Sequence, residues 1–186
     1  MHIIETEKGY TPMGSGYLYA IEAKTFTEEM DVENMVEIGW IKDSAKFTHS
    51  TEMKKISAAN SDGAIAYVPG ASTTEFDTSI ISYNPENVRR FLLGGKGDTT
   101  EGYDTTYFSN YRRPEVALIF VGTDASNGKE VKLVMPRCVW VGTYELNFNN
   151  DDPIETNYHF ECLRYKRSNG ETCTAYLKTP TVEAAE

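Results

Sequence analysis

The stretch from Thr73 to Gly95, TTEFDTSIISYNPENVRRFLLGG, carries the clearest structural signals in this chain of 186 residues. In its first part, apolar or β-branched residues alternate with polar ones, a period of two that predicts a strand with one buried and one solvated face. The second part predicts a short α-helix near residues 85–93, because Asn84 suits the N-cap, Pro85 suits the first helical position and the closing glycines suit a left-handed C-cap. One face of this helix is apolar and consists of Val88, Phe91 and Leu92. A helix this short does not persist alone in water, so we expect it to pack on a sheet.

The sequence on both sides of this stretch predicts further strands. Apolar runs bounded by turn residues predict them at 17–24, 35–43, 46–50, 52–57, 64–68, 115–121, 131–141, 144–149, 158–162 and 172–178. Pro136 predicts an edge strand or a bulge at its position. The result is a mainly β protein, with an acidic loop at 25–34 and a long loop at 94–114. We expect a flexible N-terminal arm at 1–16, a single β-rich domain at 17–178 and a frayed tail at 179–186.

Charge and composition argue against several classes of protein. The formal net charge of −10 disfavours attraction to nucleic acid phosphates or to an anionic membrane. No basic segment followed by an apolar run begins the sequence, and no run of roughly 20 apolar residues occurs, so neither a secretory signal nor a membrane span is predicted. The three scattered cysteines, Cys138, Cys162 and Cys173, are predicted to be reduced thiols.

The motifs that carry catalysis or metal binding are missing from the sequence. No Gly-x-Ser-x-Gly motif is present, and His159 and the cysteines lack the spacing of a zinc site. The glycines around Lys96 follow a helix instead of preceding one, so they lack the helix N-terminus that binds phosphate. The sequence therefore predicts a protein that is not an enzyme and that uses no metal and no cofactor.

Two surface patterns are candidates for function. Several predicted strands have a polar and often acidic face, which is typical of a solvated surface and also of the wall of an aqueous channel. The residues of these faces are Glu75, Asp77, Glu145, Asn147, Asn157 and Glu161. The Tyr-rich loop 103–111 predicts either a binding surface, since Tyr is common at interfaces, or a loop folded back over the core.

Four groups of segments, taken in order, carry a family resemblance. They are VEIGWIKD and KF within 36–47, EFDTSI, YNPENV and FL within 75–92, PEVALIF and VKLVMP within 114–136, and YHFEC and TAYL within 158–177. In this order they resemble the opening strand and hairpin, the strand-to-helix step, the next hairpin and the final strands of bacteriophage tail tube proteins, also called major tail proteins. The resemblance covers residues 35–178 and lies in ordered pattern and length, without an invariant signature.

The resemblance implies two packed antiparallel sheets, in a β-sandwich or barrel-like arrangement, with one short flanking α-helix. It implies a structural virion protein of the phage tail, made in the host bacterial cytoplasm, whose hexameric rings stack into a tube with an acidic lumen for DNA passage. The polar residues named above would face that lumen. Contacts between subunits or rings would involve Lys46, Lys54, Lys55, Tyr103, Tyr107 and Tyr111. The implied partners are further copies of the chain, a tape measure protein, terminators, a sheath where the tail is contractile, and DNA in non-specific transit, but no membrane.

An alternative function stays open at this point. The same β-rich domain would suit a β-sandwich module that binds carbohydrate or protein through the Tyr-rich loop 103–111. A hydrolase with acidic residues in a groove is a third hypothesis, but the sequence singles out no pair of carboxylates for it.

Overall fold

The computed structural model describes residues 16–57, 66–80, 84–123, 128–144 and 156–180 of the chain. In this part of the chain the strands are β1 (Tyr17–Glu22), β2 (Val36–Ile56), β3 (Ala66–Ile80), β4 (Gly97–Thr100), β5 (Tyr103–Thr106), β6 (Glu115–Thr123), β7 (Glu130–Trp140), β8 (Thr156–Cys162), β9 (Tyr165–Lys166), β10 (Thr172–Cys173) and β11 (Tyr176–Lys178). The helical elements are a 3-10 turn, Val32–Asn34, and the helix α1, which is an α-helix over Pro85–Asn87 and a π-helix over Val88–Leu93.

The main sheet has seven antiparallel strands in the order β11-β7-β6-β1-β2-β3-β8. The sheet curls, so that β8 also reaches β7 through the three residue pairs Cys138↔Cys162, Val139↔Glu161 and Trp140↔Phe160. We call this short contact the seam. Along the same edge of β7, the strand β11 pairs with the preceding residues 132–134.

The inner face of the curled sheet encloses the main core. Phe76 of β3 and Phe120 of β6 lie across it, with ring centroids 6.0 Å apart, so two layers of the sheet pack face to face. The largest fully buried side chains are Trp140, Phe76, Phe91, Phe160, Leu18 and Ile38. Burial of each such side chain contributes roughly 1.5–3 kcal/mol. The predicted fold class, mainly β with packed antiparallel layers and one short flanking helix, is confirmed.

The helix α1 begins and ends at the predicted residues. The side-chain oxygen of Asn84 accepts hydrogen bonds from the backbone N–H groups of Glu86, at 3.0 Å, and Asn87, at 3.3 Å. The backbone N–H of Gly94 donates to the carbonyl of Arg89, at 3.0 Å, and Gly94 is left-handed with φ of 66°. The π-turn adds Leu93 to the buried face that α-helical spacing predicts.

The acidic segment 25–34 packs on the outer face of the sheet, a role that the sequence did not indicate. Beneath it lies a second apolar cluster, which consists of Ile21, Phe26, Ala117, Ile119 and Val134. Asp31 pairs with Lys132 at 3.0 Å, and Glu28 pairs with Arg167 at 3.3 Å. The hydrogen bond from Lys132 lowers the pKa of Asp31, while a backbone N–H donor and then Arg167 lower the pKa of Glu28. Asp31 therefore links the segment to β7 of the main sheet, and Glu28 links it to the turn between β9 and β10.

The predicted end of a strand at Pro69-Gly70 is wrong, because β3 runs on through it, whereas the extended character predicted for 46–50 and 52–57 is confirmed in β2. β2 covers Val36–Ile56, and β3 covers Ala66–Ile80 and passes through Pro69. Pro69 lies opposite Met53, next to an irregularity in the register between Thr51 and Met53. A bulge accommodates a residue without a backbone N–H, so the proline does not end the strand.

Other differences follow from turns that the sequence pattern does not resolve. The predicted loop 94–114 contains the hairpin β4–β5, and the predicted strand 172–178 is divided into β10 and β11. The bulge predicted at Pro136 is confirmed, since the β6–β7 register shifts between Val116 and Leu118. Most of the predicted arm, most of the predicted tail and residues 145–149 lie outside the described residues.

Candidate self-association surfaces

The hairpin β2–β3 continues well beyond the core. β1 pairs with β2 only up to Trp40, and β8 pairs with β3 only from Glu75 onwards. Within the part of the chain that the structure describes, no further strand pairs with the outer edges of this hairpin at residues 41–56 and 66–74. We call residues 46–56 and 66–74 the ribbon. Such paired strands with free edges are open to pairing with another chain.

The distal part of the ribbon exposes apolar side chains on both of its faces. Lys54 lies opposite Val68, and Lys55 lies opposite Tyr67, so each face combines one lysine with apolar residues. The exposed large apolar side chains here are Met53, Ile56, Tyr67 and Val68, which are 53%, 47%, 60% and 45% exposed. A cluster of exposed apolar side chains marks an interaction surface. Two of the three lysines predicted to make contacts therefore lie in it, while Lys46 lies at the base of the ribbon.

The hairpin β4–β5, which we call the acidic hairpin, lies at the opposite end of the sheet. β3 runs away from the distal ribbon and ends at Ile80, α1 starts shortly afterwards, and the acidic hairpin follows α1. The guanidinium of Arg89 donates to the carbonyl of Thr105, at 3.4 Å, which holds the hairpin near the helix. With a rise of about 3.3 Å per residue, the length of β3 alone separates the two surfaces by tens of ångströms.

The acidic hairpin carries aromatic rings and carboxylates. Asp98, Glu101 and Asp104 are exposed, and residues 97–106 contain no lysine or arginine. Tyr103 is 76% exposed and Tyr107 is 47% exposed. The hydroxyl of Tyr107 donates to the carboxylate of Asp98 at 3.0 Å, and this hydrogen bond raises the pKa of Tyr107.

The third predicted contact residue of this loop has a different environment. Tyr111 is half-buried, and its ring lies so close to Gly95 that a side chain on that glycine would contact it at 3.3 Å. Phe108, which the sequence did not single out, is 63% exposed and stacks on Tyr144 with ring centroids 5.9 Å apart. The Tyr-rich loop therefore fits both predicted alternatives: Tyr111 is folded back onto the protein, whereas Tyr103 and Phe108 remain exposed as a binding surface requires.

The predicted polar face exists on the outer side of β3 and β8. Glu75 lies directly opposite Glu161, and Asp77 lies opposite His159, with 2.5 Å between the carboxylate and the ring Nδ1. The predicted residues in this group are Glu75, Asp77, Asn157 and Glu161, whereas Glu145 and Asn147 lie outside the described residues. Two carboxylates facing each other across strands repel. Lys46 lies opposite Asp77 on the same face, but the three carboxylates outnumber it, so the face carries a net negative charge. Its role as a lumen wall stays a prediction.

The structure separates the residues that a metal site would need. Cys138 and Cys162 belong to the buried core, whereas His159 and Glu161 lie on the opposite face of the sheet. Among the described residues, no three His, Cys, Asp or Glu side chains are grouped so that they could hold a metal ion. In the same part of the chain, no helix has both the length and the apolar character that a membrane crossing requires.

Comparison with solved structures shows what the fold is similar to. A chain in a six-fold symmetrised cryo-electron microscopy structure of the anti-feeding prophage baseplate superimposes with a TM-score of 0.53 and 4% identity, covering 93% of this chain and 97% of that chain. Hcp1 from Salmonella typhimurium aligns with a TM-score of 0.37 and 14% identity, covering 88% of this chain and 94% of that one. No protein-family model and no curated protein matches the sequence. The chain thus shares its overall fold with a chain of the anti-feeding prophage baseplate.

Proposed function

We propose that this chain is a structural subunit of a phage-like tail or injection apparatus and that it assembles head to tail with copies of itself. The observation that carries the proposal is the pair of complementary surfaces at opposite ends of the sheet. The ribbon has three lysines and one glutamate, whereas the acidic hairpin has three carboxylates and no basic residue. Each surface exposes a tyrosine, Tyr67 on the ribbon and Tyr103 on the acidic hairpin, and tyrosine is enriched among the residues that dominate interface energetics.

Two different surfaces that fit each other make a heterologous contact. Such a contact repeats without limit unless rotation closes it into a ring, so it builds rings, filaments or stacked rings. The free strand edges of the ribbon suit the same assembly, because a neighbouring copy that pairs with them satisfies their backbone groups. The shared fold with the baseplate chain supports this kind of role.

The finer proposal is a tube of stacked hexameric rings with the polar face of β3 and β8 towards the lumen. The carboxylates of that face would repel the phosphates of passing DNA and so prevent it from binding. On this proposal the protein has no catalytic residues and no cofactor, it is part of the virion tail, and other tail proteins bind the ends of its tube.

Light scattering and sedimentation over a concentration series test the proposal. We expect the natural chain to form large particles above a threshold concentration. The double variant Tyr67→Thr and Val68→Thr, which keeps β-forming residues but removes apolar surface from the ribbon, should raise that threshold at least tenfold. Leu177→Thr on β11, where the natural side chain is 50% exposed, is the matched control and should leave it unchanged. A natural chain that stays monomeric throughout would refute the proposal and favour the binding module with Tyr103.

A further inference from the structure

The seam between β7 and β8 contains two cysteines that face each other. Cys138 and Cys162 are directly opposite in the register, and their Sγ atoms are 3.4 Å apart. The backbone N–H of Val141 donates to the carbonyl of His159 at 2.8 Å, on one side of this pair. On its other side, the N–H of Leu163 donates to the carbonyl of residue 137 at 2.7 Å.

These hydrogen bonds identify the type of site in which the cysteines lie. Hydrogen-bonded and non-hydrogen-bonded pairs alternate along an antiparallel ladder, and the pairs 141↔159 and 137↔163 are hydrogen-bonded. The pair Cys138↔Cys162 is therefore a non-hydrogen-bonded pair, where Cα atoms are about 4.5 Å apart and side chains are closest. That separation lies within the range of Cα distances that a disulfide spans, about 4.4–6.8 Å.

We propose that Cys138 and Cys162 are a disulfide-forming site, and that a small-molecule disulfide such as oxidised glutathione converts them into a covalent lock on the seam. The thiolate of Cys162, which is 8% exposed, attacks one sulfur of the small disulfide, and a glutathione thiolate leaves. The thiolate of Cys138, which is 0% exposed, then attacks the Cys162 sulfur and expels the second glutathione. Two protein thiols are oxidised, one small disulfide is reduced to two thiols, and the two protons pass to the leaving thiolates.

The surroundings of the pair set its rate of reaction. Burial, and secondly the contact with Cys162, raise the pKa of Cys138, so its thiolate is scarce at neutral pH. The reagent must also reach the core side of the sheet, which requires the seam to open. The seam has three residue pairs, as many as the β7–β11 pairing and fewer than the other pairings of the main sheet, so few cross-strand contacts must break for it to open. The oxidation is thus slow in the closed state and limited by opening of the seam.

The consequence is a change from a hydrogen-bonded seam to a covalently linked one. The link closes the chain segment between residues 138 and 162, and a disulfide across a segment of this size typically stabilises by restricting the unfolded chain. For a chain of this length we expect the melting temperature to rise by about 5–10 °C. This inference concerns the closure of the fold and stands whether or not the chain assembles into tubes.

Incubation of the folded full-length protein with oxidised glutathione tests the proposal. We expect the intact mass to fall by two hydrogen atoms, a cross-linked peptide pair containing Cys138 and Cys162, and a raised melting temperature that dithiothreitol reverses. The variant Cys173→Ser should behave in the same way, because Cys173 lies opposite Tyr165 in the register.

Two results would overturn the proposal. One is a peptide map in which glutathione remains attached to Cys162 while Cys138 stays free, since adjacent thiols would have resolved that intermediate. The other is a mapped Cys138–Cys162 cross-link that leaves the melting temperature unchanged. The variant Cys138→Ser provides the matched control, and it should accumulate the mixed disulfide on Cys162. Since the map is made on the natural chain, poor folding of this variant does not affect the test.

Discussion

Reversal of charge on the ribbon should weaken assembly without unfolding the protein. Lys54 and Lys55 are exposed and lie on opposite faces of the distal ribbon, where the double change Lys54→Glu and Lys55→Glu removes little packing. Surface changes of this kind alter the free energy of unfolding by about 0.5 kcal/mol or less. The effect on the free energy of association is larger, because each lysine that contacts a carboxylate of the acidic hairpin is replaced by a group that the carboxylate repels.

The size of the effect follows from the number of charges. Two opposite unit charges about 4 Å apart attract by about 1 kcal/mol in water. Reversal of one lysine turns this attraction into repulsion and weakens the free energy of association by about 2 kcal/mol, and reversal of both lysines weakens it by about 4 kcal/mol. Salt at physiological concentration screens exposed charges over about 8 Å and reduces the figure to roughly half. We therefore expect the threshold concentration for assembly to rise by about 30- to 1000-fold, and by more in low salt than in high salt.

The assay is light scattering over a concentration series, with circular dichroism to confirm that the variant is folded. The complementary variant, Glu101→Lys and Asp104→Lys on the acidic hairpin, should fail to assemble in the same way. An equimolar mixture of the two variants should assemble again, because each ribbon then meets a hairpin of opposite charge. If the mixture does not assemble at concentrations where neither variant assembles alone, the proposed pairing of these two surfaces is wrong.

Three further predictions concern the fold and the polar face. Gly94→Ala should lower the free energy of unfolding by more than about 1 kcal/mol, because Gly94 has a φ of 66° and an added Cβ would collide with a backbone carbonyl oxygen. The control Gly102→Ala, with a φ of 83° and open space around it, should show the conformational cost alone, and urea unfolding of both variants measures the difference. Burial raises the pKa of Tyr176 to about 12, above its value of about 10 in the unfolded chain. The free energy of unfolding should therefore be unchanged below pH 10 and fall as the pH rises towards 12, so equal urea midpoints at pH 8 and pH 11.5 would contradict this prediction. Glu75→Lys should raise the melting temperature slightly by converting the repelling pair with Glu161 into an attracting one, and should increase DNA retention by assembled tubes in a nuclease-protection assay if this face lines the lumen.

Local signals account for the part of the fold that the sequence predicts best. The alternation in β3 and the Asn84-Pro85 start of α1 depend on neighbours within a few residues, and the structure confirms both. The continuity of β3 through Pro69 depends instead on its pairing with β2, because the bulge that accommodates the proline cannot be read from either segment alone. The π-turn of α1 is equally non-local, since it is the core that receives Leu93.

The sequence predicts which residues form the candidate surfaces, but not where these surfaces lie in the fold. The lysines of the ribbon and the Tyr-rich loop stand out in the sequence, but their positions at opposite ends of the sheet follow from the path of β3 and α1. The acidic segment 25–34 contributes much of the net charge, yet Asp31 pairs with Lys132 of β7 and Glu28 pairs with Arg167, just after β9, both far away in the sequence. Facing cysteines at 138 and 162 likewise follow from the curl of the sheet, which brings β8 back to β7.

In the proposed assembly, copies of this chain join head to tail, with the ribbon of one copy on the acidic hairpin of the next. Cryo-electron microscopy of the concentrated protein tests it most directly. We expect rings or hollow filaments in which density for the distal ribbon of each subunit contacts residues 97–106 of a neighbour. Particles in which the ribbon is free in solvent, or in which two ribbons meet symmetrically in a closed dimer, would contradict it.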